Sequence, residues 1–449
     1  MKVEKNINDM RVTAVLGAGV NLEFFAWSDK TPTTANITKS IVNAKYFKHV
    51  DGSQSKIPVL INKVYKRLCK KYSLGALNPK DEKSYGIIHF EKIFHALEEL
   101  DSFDKIWNRK SKDPSYAPLF AYFASPACKY NPDEIHSSLF WVVSMIMDFV
   151  NHYNEYFITH KWEDTCKWYT AFWRDAKFKW DIFNFNYDTT IENCIDDYTD
   201  GFADIENHNS LQCFDPNLLM QSSTNTVNHI HGCILYGYGD LSIDEENQYY
   251  VFKYGFHDWY KWKTYDLNIK HWMGRGSSSD VSQSGDTLFP SPIITGLNKT
   301  DKLVNLPFAT YHFNLSQRLF QRHSLLIAGY SFGDYYVNYE LERMRLYHEE
   351  KLRVVLIDYW SLQNYQDMPE EYIIRAYLEY SEPDSISHQK AHFISKVMHS
   401  GHLDYYKDGF SKLTYDNYMI SNNKQLMLFV GGWKKALQHR DEIYKFLYS

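Results

Sequence analysis

Short apolar runs alternate with helix-period stretches along most of this chain. Arg11–Val12–Thr13–Ala14–Val15–Leu16 is β-prone and ends in Gly17–Ala18–Gly19. Trp180 to Phe185 is a second strand candidate, followed by Val227 to His231, Pro292 to Thr295, Leu325 to Ala328 and Arg353 to Ile357. Several of these runs are apolar throughout, the pattern of strands buried on both faces. With helical segments between them, the fold class expected is α/β, a parallel sheet covered on both sides.

Between the first two strands the period is helical. Ile37, Ile41 and Val42 form one stripe, and Phe90, Ile93, Phe94, Leu97 and Leu100 form another. Glu134 to Tyr156 predicts a long helix and Trp168 to Trp173 a shorter one. Its most apolar part, Leu139 to Val150, is broken by Ser144 and Asp148. That stretch is too short for a bilayer core of about 30 Å and reads as a buried helix. The expected organisation is a motif-bearing domain over 1–360, with a helical insertion over about 36–178 and a second insert over about 238–290. Ser277 to Gly285 reads as a flexible loop, and 361–449 as a mainly helical extension ending in Gln425 to Tyr448.

Composition narrows the function classes. Apolar residues are 44% of the 449 and aromatics 17%, ample for a core. The net charge of -6 argues against a general affinity for nucleic acid, which needs a basic surplus. Lys63, Lys66, Arg67, Lys70 and Lys71 form a basic strip beside Ile57, Leu60, Ile61, Val64 and Leu68. At helical spacing this reads as a solvated helix face, with a nucleic-acid or partner surface as the alternative. Cys69, Cys128, Cys166, Cys194, Cys213 and Cys233 contain no Cys-x-x-Cys pair, so neither a disulfide framework nor a four-thiolate zinc module is expected. Met1 to Met10 is polar and charged, with no secretory signal, which makes the reducing cytosol the expected setting.

Chemistry concentrates where strand candidates end. The Gly17–Gly19 turn, leading to Asn21, can bring backbone N–H groups to a pyrophosphate, although Leu22 stands where a third fingerprint glycine would be. Tight-turn geometry alone also explains such glycines. Asn186–Tyr187–Asp188 places an amide and a carboxylate after the second strand, where a simple turn is the alternative. His231, directly before Gly232, is a candidate general base. A structural histidine, or a metal set of His229, His231 and Cys233 on one strand face, are its rivals. Gly329–Tyr330–Ser331–Phe332–Gly333–Asp334, with Asn338 beyond, can donate N–H and hydroxyl groups to ribose or phosphate. Asp358 suits a ribose hydroxyl or a helix cap.

In order and context, Gly17–Gly19, Asn186–Asp188, His231–Gly232 and Gly329–Asp334 resemble the sirtuin-like family, specifically its bacterial anti-phage NADase branch. Pro32–Thr33–Thr34 and Phe90–Glu91 are also similar to stretches of that branch, and the resemblance covers about residues 11 to 360. It implies a Rossmann-like NAD-binding domain that cleaves NAD to nicotinamide and ADP-ribose, depleting NAD in an infected cell. Under that resemblance Asn186, His231 and the orienting Asp188 are catalytic. Gly17, Ala18, Gly19, Asn21, Thr34, Gly329, Ser331 and Asp358 would contact the dinucleotide. The chain lacks the paired zinc-binding cysteines of protein-deacylating sirtuins, so no metal is expected and a deacylase role is in doubt. A non-catalytic NAD or ADP-ribose sensor is a further alternative. The branch also implies an oligomer and gating by a protein partner, a phage signal or a nucleotide, for which the insertion and the tail offer helical surface.

Overall fold

A computed structural model gives the fold. It describes residues 10–25, 31–48, 54–72, 76–108, 132–206, 208–237, 241–243, 250–252, 259–265, 280–281, 287–288, 291–296, 299, 302–303, 306–359, 390, 392–394, 397 and 418–449. The described residues build an eight-stranded sheet. Its strands are β1 (Arg11–Leu16), β2 (Lys179–Asn184), β3 (Tyr198–Thr199), β4 (Asn225–His229), β5 (Ser324–Ala328), β6 (Arg353–Ile357), β7 (Tyr418–Ile420) and β8 (Leu426–Phe429). They stand in the order β7-β8-β6-β5-β1-β2-β4-β3, and every pairing is parallel except that of β7 with β8.

Helices cover both faces, as the apolar strands require. The longer helices among the described residues are α1 (Thr34–Asn43), α2 (Val59–Lys70), α3 (Phe90–Asn108), α4 (Pro132–His160), α5 (Lys167–Arg174), α6 (Phe308–Gln321), α7 (Tyr335–His348) and α8 (Arg440–Tyr448). Val15, Phe183, Leu325, Ile327 and Val354 join a core with Ile41, Leu60, Phe94, Val143, Leu315 and Leu341. Alternate strand residues Ala14, Leu16, Ile182, Leu326 and Val355 join the opposite core with Phe157, Phe172, Trp173 and Ile443. Each such large side chain contributes about 1.5–3 kcal/mol on burial. On α2 the basic strip flanks a buried stripe of Leu60, Ile61, Val64 and Tyr65, the solvated-face arrangement. None of the described helices is long and apolar enough to cross a membrane.

Register decides where the site can be. Leu16 pairs with Asn184 on one side and Ala328 on the other. Asn184 pairs in turn with His229, Ala328 with Ile357, and Ile357 with Phe429. The carboxyl ends of the strands therefore lie in one row. From β1 the sheet grows one way through β2 and β4, and the other way through β5 and β6. The reversal falls between β1 and β5, which in open α/β sheets opens a ligand crevice beyond the strand ends.

Some elements differ from the sequence expectation. Pro292 to Thr295 is not a strand: only Ile293 makes a bridge, to Gly232. The strand expected over Val227 to His231 stops at His229 because the chain turns at Gly232. The segment Gln425 to Tyr448 is not wholly helical, since Leu426–Phe429 is β8, inside the sheet. Four consecutive apolar residues suit a buried strand as well as a helix turn, so periodicity did not separate them. The helical insertion also carries a hairpin, Tyr46–Lys48 with Gln54–Lys56. Of the expected loop Ser277 to Gly285, Asp280–Val281 pairs with Thr287–Leu288, and the remainder lies outside the described residues. So do Cys128, most of the 238–290 insert and most of 361–417.

Candidate functional site

The first two glycines of the site serve close packing. An added Cβ on Gly17 would lie 2.4 Å from the Gly329 carbonyl oxygen, and one on Gly19 would lie 2.6 Å from Gly329 Cα. Gly329 itself sits at φ +58, with Val20 N only 2.4 Å from where its Cβ would be. The two loops flanking the crevice thus interlock through backbone. Gly17 N–H donates to Ala328 O at 2.9 Å and Gly19 N–H to Gly329 O at 3.1 Å. Both donors are spent inside the protein. Exposed Ala18, Ser331 and Gly333 are the parts of these loops that face outward. From Gly17 the chain enters a 3-10 helix, Ala18–Phe25, that contains Gly19.

Asn186 lies two residues past the row, 7% exposed. Its backbone N–H donates to Asn184 Oδ1 at 3.0 Å and its side-chain amide to Gly17 O at 3.2 Å. The amide is therefore held against the glycine turn. Asp188 is deeper, fully buried, and its carboxylate is filled from within. Asn21 Nδ2 donates to Oδ2 at 2.8 Å, Tyr153 Oη to Oδ2 at 2.9 Å, Thr190 N to Oδ1 at 3.0 Å, and the Thr190 hydroxyl also to Oδ1. Burial pushes its pKa up against these donors. This geometry gives Asp188 the work of fixing the loop, with Asn21 as its partner.

His231 is nearly enclosed, with Phe185 edge-on at 5.0 Å. Its Nε2 lies 3.1 Å from Asp334 Oδ2. Burial lowers its pKa first and the charge of Lys299 second, while Asp334 and Glu91 oppose them. The imidazole is thus neutral near pH 7. Asp334 is held below the usual carboxylate range: burial opposes this, but the hydrogen bond from His231, the Val337 N–H and the charge of Lys299 prevail. Gly232, at φ +91, lets the chain turn where a Cβ would lie 2.2 Å from Pro292 O. His231 O accepts from Ile294 N at 2.7 Å, which pins the turn to the segment leading to Lys299. Lys299 pairs with Glu91 at 2.9 Å, so α3 of the insertion reaches the surroundings of His231.

His229 faces elsewhere. Its Nε2 is 2.6 Å from Glu192 Oε1, with His229 itself fully buried. Burial alone would lower its pKa, but the Glu192 charge raises it overall. His229 and His231 thus address different acids, and Cys233 is buried. Among the described residues no group of three or more potential metal ligands converges.

The other expected dinucleotide contacts are placed as follows. Thr34 opens α1 on an exposed position, with Thr33 as the cap. Asp358 receives Lys390 Nζ on Oδ2 at 2.5 Å and Tyr359 N on Oδ1 at 2.9 Å, so tail residue Lys390 occupies it. In the β5–α7 loop Phe332 is buried at φ +61, a left-handed conformation that costs an aromatic residue about 1–2 kcal/mol. Asn338 holds it by donating Nδ2 to Phe332 O at 2.8 Å, and Tyr330 Oη donates to Asn338 Oδ1 at 3.1 Å. Sequence reasoning missed Asp334 as the partner of His231, Glu192, Lys299 and the buried His312. Asp334 carried a usable signal, as an acid directly before a helix. Lys299 carried none, since only the bridge at Ile293 brings it there.

A doubly covered parallel sheet, with polar motifs gathered at its strand ends beside a topological switch point, is the arrangement of doubly wound α/β folds, which take their ligands in that crevice. Residues 181–381 match a protein-family model described as a SIR2-like domain. Residues 181–381 are thus similar to a SIR2-like domain, in keeping with the sirtuin-like resemblance, and that similarity points to an NAD-related function. The match begins within β2, yet β1 and its glycine turn sit in the middle of the same sheet. No curated protein matches the chain.

Proposed function

We propose that the protein is an NAD hydrolase that breaks the bond between nicotinamide and ribose, releasing nicotinamide and ADP-ribose. One observation carries this most: Asn186 and His231 each stand just past the strand-end row, with His231 kept neutral and oriented by Asp334. Exposed Ala18, Ser331 and Gly333 beside the switch point suit the dinucleotide's phosphates and adenosine half. Asn186, whose amide is anchored on Gly17 O, would position the ribose or the attacking water. In the reaction the C1′–N bond breaks with its electron pair leaving on nicotinamide. Water then adds to C1′, and its proton passes to the free ring nitrogen of His231. No metal takes part in this scheme.

The biological role we propose is that of an anti-phage effector acting in the cytoplasm by NAD depletion. It rests on the resemblance of the four motifs to that branch. Because unrestrained NAD cleavage harms its host, we propose that a partner, a trigger or oligomer assembly gates it. The Glu91–Lys299 pair, by which the insertion reaches the surroundings of His231, supports a route for such gating. A gate of this kind requires a partner with unequal affinity for open and closed forms. Replacing His231 or Asn186 by Ala tests the site: NAD cleavage is expected to fall about 100- to 10,000-fold with the fold intact. Near wild-type turnover in both variants would remove the assignment.

A further inference from the structure

Asp334 does two jobs with two different oxygens. Oδ2 lies 3.1 Å from His231 Nε2, while Oδ1 accepts from Val337 N at 3.3 Å and caps α7. An ionised carboxylate can only accept, so the proton on neutral His231 must sit on Nε2, and Nδ1 must carry the lone pair. We infer that Asp334 is a positioning residue: it selects the Nε2–H tautomer of His231 and thereby makes Nδ1 the reactive nitrogen. The helix cap fixes the carboxylate's rotation, so that one oxygen always faces the imidazole. This inference rests on the hydrolase proposal for its kinetic consequence, but not for its tautomer.

Among the described residues, Asp334 alone has a side chain hydrogen-bonded to the His231 ring. Lys299 is a cation paired with Glu91, which reaches His231 through its charge. His312, on α6, also faces His231 electrostatically and is itself held neutral by burial, down to about 4. Phe185 contributes a ring edge. Asp334 is the carboxylate hydrogen-bonded to the ring.

Asp334→Asn separates the two jobs. Asparagine caps helices as well as aspartate, so Oδ1 keeps Val337 N. Its Nδ2 then replaces Oδ2, and an amide N–H pointed at Nε2 forces the proton to Nδ1. Asp334→Ala removes cap and acceptor together. The experiment uses the full chain with ¹⁵N-labelled histidine, the His231 signal being assigned by its loss in His231→Gln. Tautomer, melting temperature and NAD turnover against pH are recorded for wild type and both variants. Expected is an Nε2–H tautomer in the wild type and Nδ1–H in Asp334→Asn. That variant should melt close to wild type yet lose about 100- to 10,000-fold in turnover. Asp334→Ala should melt lower. An Asp334→Asn protein that keeps the Nε2–H tautomer, or keeps wild-type turnover and pH profile, overturns the inference. If the wild type cleaves no NAD while the tautomer still switches, the hydrolase proposal fails and the tautomer assignment stands.

Discussion

Tyr153, on the long helix of the insertion, donates its hydroxyl to Asp188 Oδ2 at 2.9 Å. The insertion is thereby tied to the loop that carries Asn186. Replacing Tyr153 by Phe keeps the ring and removes one donor from a buried carboxylate. The expected cost is about 1–3 kcal/mol, and Asp188→Ala should cost more because it leaves Asn21, Tyr153 and Thr190 without their acceptor. Thermal unfolding checks this. Unchanged melting in Asp188→Ala would show that the carboxylate does not hold the loop.

Gly17→Ala should damage both fold and site. Its Cβ would meet the Gly329 carbonyl oxygen at 2.4 Å and Tyr330 Cα at 2.6 Å, backbone atoms that cannot swing aside. Overpacking of this kind costs about 1–3 kcal/mol. Gly86→Ala is the control, since nothing lies within 4 Å of its Cβ position. Calorimetric binding of ADP-ribose, read beside melting temperature, should separate the two variants. Equal binding by both would mean the interlocked loops are irrelevant to the nucleotide.

His312 makes stability sensitive to acid. Burial lowers its pKa from the ordinary 6.5 to about 4, with His231 adding to the effect. The unfolded chain therefore takes up this proton first. The contribution is whole above pH 6.5 and is lost as pH falls toward about 4, roughly 3 kcal/mol in all. His312→Phe should flatten the stability curve across that window, measured by urea unfolding at several pH values. A slope identical to wild type would place the acid sensitivity elsewhere.

The acid limb of NAD cleavage should lie below the ordinary histidine value of 6.5, because burial and then Lys299 disfavour the His231 cation. Lys299→Met removes that positive charge and frees Glu91, and both changes favour the protonated ring. The limb of kcat/KM should then move to higher pH. A limb that stays in place would remove Lys299 from the electrostatics of the site.

The parallel sheet was legible because its strands are unbroken apolar runs, as in Leu325 to Ala328 and Arg353 to Ile357. Gly17, Asn186, His231 and Gly329 stood out because polar or glycine residues abruptly follow those runs. Less visible was the use to which each is put. Gly17 and Gly19 spend their N–H groups on the β5 side, a pairing that only the sheet order reveals. Asp358 looked available, but Lys390 comes from the tail to meet it. Leu426–Phe429 hid as a strand because four apolar residues carry no distinguishing period. Lys299 reaches the His231 region through a single bridge at Ile293, a tertiary event with no local signature.

The central claim is cleavage of NAD by this chain itself. The most direct measurement incubates the full-length protein with NAD and quantifies nicotinamide and ADP-ribose over time, with and without an acyl-lysine peptide. The account expects the two products in equal amounts without any peptide, and none from His231→Ala. NAD that is bound but recovered intact, or nicotinamide released only when the peptide is present, would contradict it.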